Sequence, residues 1–218
     1  IDKGPLPNPG GSTGHASNFI FPVDHNKEMA FLTAESQQQY GDLGLQNVPG
    51  GIEVARDEVR LEEFRRRMTS AKAWGIESEL LTPEQVKELV PFINEEVIIG
   101  GFYTPGVSVV DSLETGTQMR LRAQEAGNLE VFANTEVLDI ETTEDEIGIK
   151  KVNAVVTTRG RIEAEYVVIA CGVWSDRVAN MAGATIPLTP AVHQMADVGP
   201  IDVLAETNNE IGYPIVRD

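Results

Sequence analysis

The sequence predicts an α/β (α+β) fold on three observations. Segments with apolar residues at helical spacing alternate with short strand-like runs over residues 27–126. A meander of short strands follows over 129–165. Then Val167, Val168, Ile169 and Ala170 form a continuous apolar run that ends at Gly172 and feeds a helix. Such a run reads as a strand buried on both faces, as in a parallel sheet.

Each element has its own local signal. Residues 4–18 are rich in Gly, Pro, Ser and Asn and read as loop. Asn26 is placed to cap a helix over 27–40, and Gly50-Gly51 introduces a strand over 52–55. Leu61, Phe64, Met68 and Ala71 recur at helical spacing over 57–74, with Gly75 as the stop signal. The pairs Glu62–Arg66 and Glu63–Arg67 are expected as i,i+4 ion pairs on its outer face. Thr82-Pro83-Glu84-Gln85 is a capping box with Pro at the first helical position, opening a helix to Val90. A strand over 96–103 and a helix over 111–126, capped by Asp111, come next. Strands are expected over 129–132, 135–141 and 151–157, the last turning at Arg159-Gly160 into a return strand over 161–165. After the apolar run, Ser175 or Asp176 caps a helix to Met181, and 189–195 is strand-like with Ala191, His193 and Met195 on one face.

Composition removes several function classes. The chain has 218 residues, 41% hydrophobic and 23% charged, which is ordinary for a folded domain. Its net charge of −17 repels phosphate backbones and anionic bilayers, so neither nucleic acid nor membrane is an expected partner. A single cysteine excludes an internal disulfide and fits a reducing, cytoplasmic compartment. Ile1 opens the chain in what reads as the tail of a strand, and Asp218 closes it on the approach to another. The expectation is therefore a piece of a longer polypeptide rather than a complete small protein with frayed ends.

Few residues suggest chemistry. His15, His25 and His193 are too dispersed for a zinc motif, and Cys171 has no cysteine partner, so no metal is expected. The unusual segment is Pro9-Gly10-Gly11-Ser12-Thr13-Gly14-His15-Ala16-Ser17. Its glycines allow a ligand close to the backbone, Ser12 and Thr13 add hydroxyls, and His15 ends the loop with an imidazole. Spacing alone favours a solvated Gly/Ser turn with a surface histidine. The loop after the apolar run, at Gly172, stands where a nucleotide fold turns toward its ligand.

These segments together resemble the FAD-dependent amine oxidoreductases of the D-amino-acid-oxidase-like superfamily. Within it they are similar to the branch of dimethylglycine oxidase, dimethylglycine dehydrogenase and sarcosine dehydrogenase. The anchors are Asp2-Lys3-Gly4-Pro5-Leu6, the Gly11-Ser12-Thr13-Gly14-His15-Ala16 element and Gly50-Gly51-Ile52-Glu53-Val54-Ala55. Ala73-Trp74-Gly75-Ile76-Glu77, Ala170-Cys171-Gly172-Val173-Trp174 and Pro187-Leu188-Thr189-Pro190-Ala191-Val192-His193-Gln194 complete them.

The resemblance implies a partial FAD-binding Rossmann-like domain, over 1–45 and 129–182, with an inserted substrate domain of mixed sheet and helices over 46–128 and 183–218. It implies FAD carried covalently on His15 and lined by Gly11, Ser12, Thr13, Gly14 and Gly172. Asp2 would hold the adenosine ribose, and Val137 would contact the adenine side through its backbone. His193 would stand at the substrate amine as the catalytic residue, although Met195 replaces the family's usual tyrosine. The family's first strand and diphosphate loop would precede Ile1, and its later substrate strands and any folate domain would follow Asp218. Isolated, the chain would then bind little FAD. The implied reaction is oxidation of a small N-methyl amino acid such as dimethylglycine or sarcosine. The competing expectations are a glycine or D-amino-acid oxidase with non-covalent FAD, and an incompetent fragment or interaction module.

Overall fold

The computed structural model describes residues 1–205 and 211–218. In chain order the strands are β1 (Phe19–Ile20), β2 (Gln46–Asn47), β3 (Gly51–Ala55), β4 (Glu79–Leu81), β5 (Gly100–Thr104), β6 (Ser108–Val110), β7 (Val137–Glu144), β8 (Lys150–Thr157), β9 (Gly160–Glu163) and β10 (Ile215–Arg217). The helices are α1 (Lys27–Asp42), α2 (Glu58–Trp74), α3 (Pro83–Leu89), α4 (Ser112–Glu125), α5 (Ser175–Met181) and α6 (Asp202–Ala205). The mixture of helices and strands is the α/β class that the sequence predicts. The expected segment 183–218 includes 206–210, which lie outside the described residues.

The helices begin where the sequence supplies a cap. Asn26 accepts the N–H of Met29, Asp57 accepts that of Arg60, and Asp111 accepts that of Glu114. The Thr82 capping box forms in both directions, with Gln85 returning to the Thr82 N–H. Gly75 ends α2 in the left-handed conformation, φ 76°, which a side chain disfavours. At α5 the expected caps are absent. Trp174 occupies the cap position without a side-chain bond, and Asp176 accepts the N–H of Ile186 instead.

The chain divides into two units. The first comprises 1–16 and 116–196 and contains the antiparallel sheet β7-β8-β9 with α5. The second comprises 17–115 and 197–218 and contains two sheets, β10-β3-β5-β4 and the small β1-β6-β2. In the four-stranded sheet β3 pairs antiparallel with β5 and parallel with β10, so β3 is a central strand and all five of its residues are buried. Ile52 and Val54 meet Leu81, Val86, Val90 and Ile98 on one face. Ala55 meets Phe64, Ala71, Phe102 and Val23 on the other. Phe64 of α2 stacks on Phe102 of β5 with ring centroids 5.7 Å apart, fixing the helix against the sheet.

Glu53 faces the α2 side, 2% exposed. Arg67 forks onto it with bonds of 2.7 and 2.9 Å, and Arg60 reaches it at 3.1 Å. Arg67 also donates to the carbonyl of Val23 at 2.9 Å. The ion pairs expected along α2 are therefore replaced. Arg67 turns inward to Glu53, while Glu63 pairs with Arg60 and Glu62 with Arg65 at i,i+3 spacing. A buried carboxylate needs hydrogen-bonded countercharge, and that demand overrides a surface pair worth a few tenths of a kcal/mol.

Three expected strands are coil. Residues 166–171 pair with no strand among the described residues, and Tyr166 and Val168 are 87% and 89% exposed. The last ladder-like bond before them is from Ala164 N–H to Asn153 O. Apolar side chains do not make a strand when no neighbour takes up the backbone groups. Residues 189–195 are likewise unpaired among the described residues, and Pro190 removes a ladder donor. The strand expected over 129–132 is also coil, although Phe132 accepts a backbone bond from Asp2.

The charge network predicts the stability of the second unit. Glu53→Ala leaves two arginines facing an apolar sheet and should cost about 3–5 kcal/mol in urea unfolding. The hydrogen bond and charge of Arg60 hold the Glu63 carboxyl below its ordinary 4.5. A depressed folded value contributes stability that is present above 4.5 and lost as pH falls through the folded value. Glu63→Gln should therefore lower the urea midpoint slightly at neutral pH and flatten its decline below pH 4.5. An undiminished acid decline would place the titration elsewhere.

Candidate functional site

Most of the residues singled out by sequence lie in the first unit. Residue Asp2 is built into a short backbone ladder. Its N–H donates to Phe132 O at 2.9 Å, and its carbonyl accepts from Thr135 N–H at 2.8 Å. Asn134 N–H donates to Gly4 O at 3.0 Å, and the Lys3 ammonium meets Glu136 at 2.7 Å. The Asp2 carboxylate turns back to accept the Gly4 N–H at 2.7 Å through one oxygen. Asp2 is thus held, half-buried, beside the segment that leads into β7.

Val137 opens β7 opposite Thr157, and the register shifts between Val137 and Asp139. Such an irregularity interrupts the ladder and leaves backbone polar groups for other partners. Thr135, 1% exposed, anchors the approach by donating its hydroxyl to Ala133 O. Asp2 and Val137 are therefore brought to one edge of the first unit by backbone bonds.

The glycine-rich loop is folded by two close approaches. A Cβ at Gly4 would collide with the Pro9 carbonyl oxygen, and one at Gly14 would lie 2.9 Å from Asn8 Oδ1. Asn8 Oδ1 also accepts the Gly10 N–H at 3.2 Å. These contacts shape 4–14 into a compact turn followed by a single 3₁₀ turn, Ser12–His15. Ser12, Thr13 and His15 are exposed. A Cβ at Gly11 would approach the Trp174 ring at 4.0 Å, so the loop lies next to the 3₁₀ turn Gly172–Trp174. Gly172 has φ 52°, and a Cβ there would meet open space.

Gly11, Ser12, Thr13, Gly14, His15 and Gly172 are thus gathered by the contact of the two turns. The open faces of Gly10 and Gly172 and the accessible imidazole of His15 fit a planar cofactor that needs close backbone approach and a reachable tether. His193 lies on exposed coil, as do Ala191 and Met195, and not on a shared strand face. Cys171 is a half-buried free thiol.

The sequence reading missed the charged centre of the second unit. Glu53, Arg60, Arg67 and Arg217 line a cavity of about 260 Å³ together with Phe21, Val23, Asp24 and His25. A signal was present. Glu53 interrupts an apolar strand, and Arg60 and Arg67 stand two helical turns apart on α2, flanking Phe64.

The profile of the family described as DAO, FAD dependent oxidoreductase, matches residues 1–218. Human mitochondrial sarcosine dehydrogenase is 35% identical over 193 residues, covering 84% of this chain and 21% of that protein. Human mitochondrial dimethylglycine dehydrogenase is 27% identical over 215 residues, covering 95% of the chain and 24% of that protein. The chain spans under a quarter of the length of these relatives. The crystal structure of L-proline dehydrogenase from P. horikoshii superposes with a TM-score of 0.75 at 23% identity, covering 84% of this chain and 48% of that one.

The glycine contacts are open to a direct check. In Gly4→Ala the new methyl group meets the Pro9 carbonyl, and the turn over 4–14 must shift. Hydrogen exchange should accelerate at 2–14 and at 132–135, while α2 and β3 keep wild-type protection. Unchanged exchange in 132–135 would show that the turn does not hold the Asp2 ladder.

Proposed function

The chain belongs to the DAO family of FAD dependent oxidoreductases, and we propose that it is part of an enzyme that oxidises a small N-methylated amino acid, of the dimethylglycine or sarcosine type. The observation that carries this reading is the exposed His15 at the end of a glycine turn packed next to Trp174. Similarity to sarcosine and dimethylglycine dehydrogenases supports the substrate class.

In this reading the first unit holds the cofactor. His15 would tether the flavin covalently through its imidazole, and Gly11 to Gly14 with Gly172 would let the backbone lie against it. Asp2 offers a fixed carboxylate acceptor to ribose hydroxyls, its orientation set by the Gly4 N–H and the Thr135 ladder. Val137 contributes backbone groups where the β7 register is irregular. A bound flavin would supply the two-electron acceptor for oxidation of an N-methyl or adjacent carbon of the amine. His193 orients the amine and takes its proton, because only a neutral amine has the lone pair that assists loss of hydride.

Two variants of the full-length protein test the reading. His15→Ala should release its flavin on acid precipitation, whereas the wild type should keep the flavin band in the precipitate. A flavin that is acid-extractable already in the wild type would instead favour a glycine or D-amino-acid oxidase with non-covalent FAD. Absence of flavin from the full-length protein would favour an interaction module. His193→Ala should slow flavin reduction by sarcosine or dimethylglycine by about 10²-fold or more. Its stability should stay within about 0.5 kcal/mol, since the side chain is exposed. Unchanged reduction kinetics would remove His193 from the site.

A further inference from the structure

The cavity of the second unit has guanidinium groups in excess of carboxylates. Three arginines and two carboxylates line it, with His25 at its exposed rim, in a chain whose net charge is −17. The two Glu53 oxygens are already occupied by Arg67 and Arg60 at 2.7–3.1 Å. Arg217 comes third, 3.9 Å from Glu53 Oε2, beyond hydrogen-bond distance. Among the described residues the buried Nε of Arg67 has no hydrogen-bond partner. Asp24 is turned to its own loop, accepting the His25 N–H.

Each arginine is backed by an aromatic ring. Arg60 lies 4.8 Å from the centroid of Phe64, Arg67 lies 5.4 Å from Phe102, and Arg217 lies 5.7 Å from Phe21. Rings behind guanidinium planes hold them in place and leave their N–H edges for an in-plane acceptor. The space of 260 Å³ corresponds to roughly nine water molecules. It is below the usual range of cofactor pockets, which begins at about 300 Å³.

We propose that this cavity binds one small oxyanion, a carboxylate or a phosphate, with Arg217 as the principal ligand. The anion completes the coordination that Glu53 leaves unfinished: Arg217 takes it through its fork, and the fields of Arg60 and Arg67 lower the cost of its partial desolvation. Arg217 is the part of the cluster free to do this. It lies on β10, its side chain is 55% exposed, and its link to Glu53 is the longest of the three. All lining residues belong to the second unit, so the inference stands independently of the flavin reading.

The test is calorimetric titration of the 218-residue chain with sodium phosphate and with sodium acetate, each against sodium chloride at matched ionic strength. Saturable heat with phosphate or acetate, absent with chloride, is expected, and the tighter of the two anions identifies the ligand's chemistry. Arg217→Gln should weaken that binding at least about tenfold, since a charge-assisted hydrogen bond is lost. The side-chain Nε–H resonances supply a measurement without substitution. Those of Arg217 and Arg67 should shift saturably with the same midpoint, while that of Arg161 on β9 should not. No saturable heat with either anion, unchanged affinity in Arg217→Gln, or equal shifts at all exposed arginines would each overturn the proposal.

Discussion

Burying the Glu53 carboxylate at the centre of a strand has a desolvation cost of several kcal/mol, and much of the second unit is arranged to offset it. The offset requires guanidinium groups from a different element, and α2 supplies them at Arg60 and Arg67. Two consequences follow for the fold. The helix can sit in only one rotation and one axial position, because Phe64 between the arginines must at the same time stack on Phe102. The segment before α1 is also fixed, because Arg67 holds the carbonyl of Val23, itself a core residue. One ionised side chain thus selects a single packing arrangement that apolar contacts alone would leave open to sliding.

The first unit reaches order by a different route. Its glycine-rich loop has little apolar surface to bury. Backbone bonds between Asp2, Gly4, Phe132, Asn134 and Thr135 hold it instead, with a close approach of Gly4 to the Pro9 backbone that excludes a side chain there. That construction leaves Ser12, Thr13 and His15 exposed while fixing the chain on either side of them. A loop arranged in this way can present backbone and imidazole to a ligand without rearranging, which reduces the ordering cost of binding.

The two charge patterns serve different ends. An overall excess of carboxylates repels anions at long range, yet the Arg60–Arg67–Arg217 cluster concentrates positive charge within one cavity. Screening over about 8–10 Å makes the local cluster dominate the field there, so net charge says little about what this cavity attracts.

Local chemistry made much of the chain legible. Asn26, Thr82 and Asp111 cap the helices they were expected to cap, because a cap bond joins residues only three apart. Gly75 stops α2 for the same reason of short range, whereas the glycine turn before His15 reads from spacing alone as a solvated turn, and only the family resemblance gives it a cofactor role. What tertiary structure decided depends on partners distant in sequence. The apolar run at 166–171 has the composition of a buried strand but no neighbour among the described residues to take its backbone bonds, and His193 stands in coil for want of a paired strand. Arg67 abandoned the helical pair that its spacing offered for Glu53, fourteen residues away, and Arg217 joined the same carboxylate from the far end of the chain. A sequence fixes which groups need partners; only the packed chain determines which partner is near enough to desolvate with.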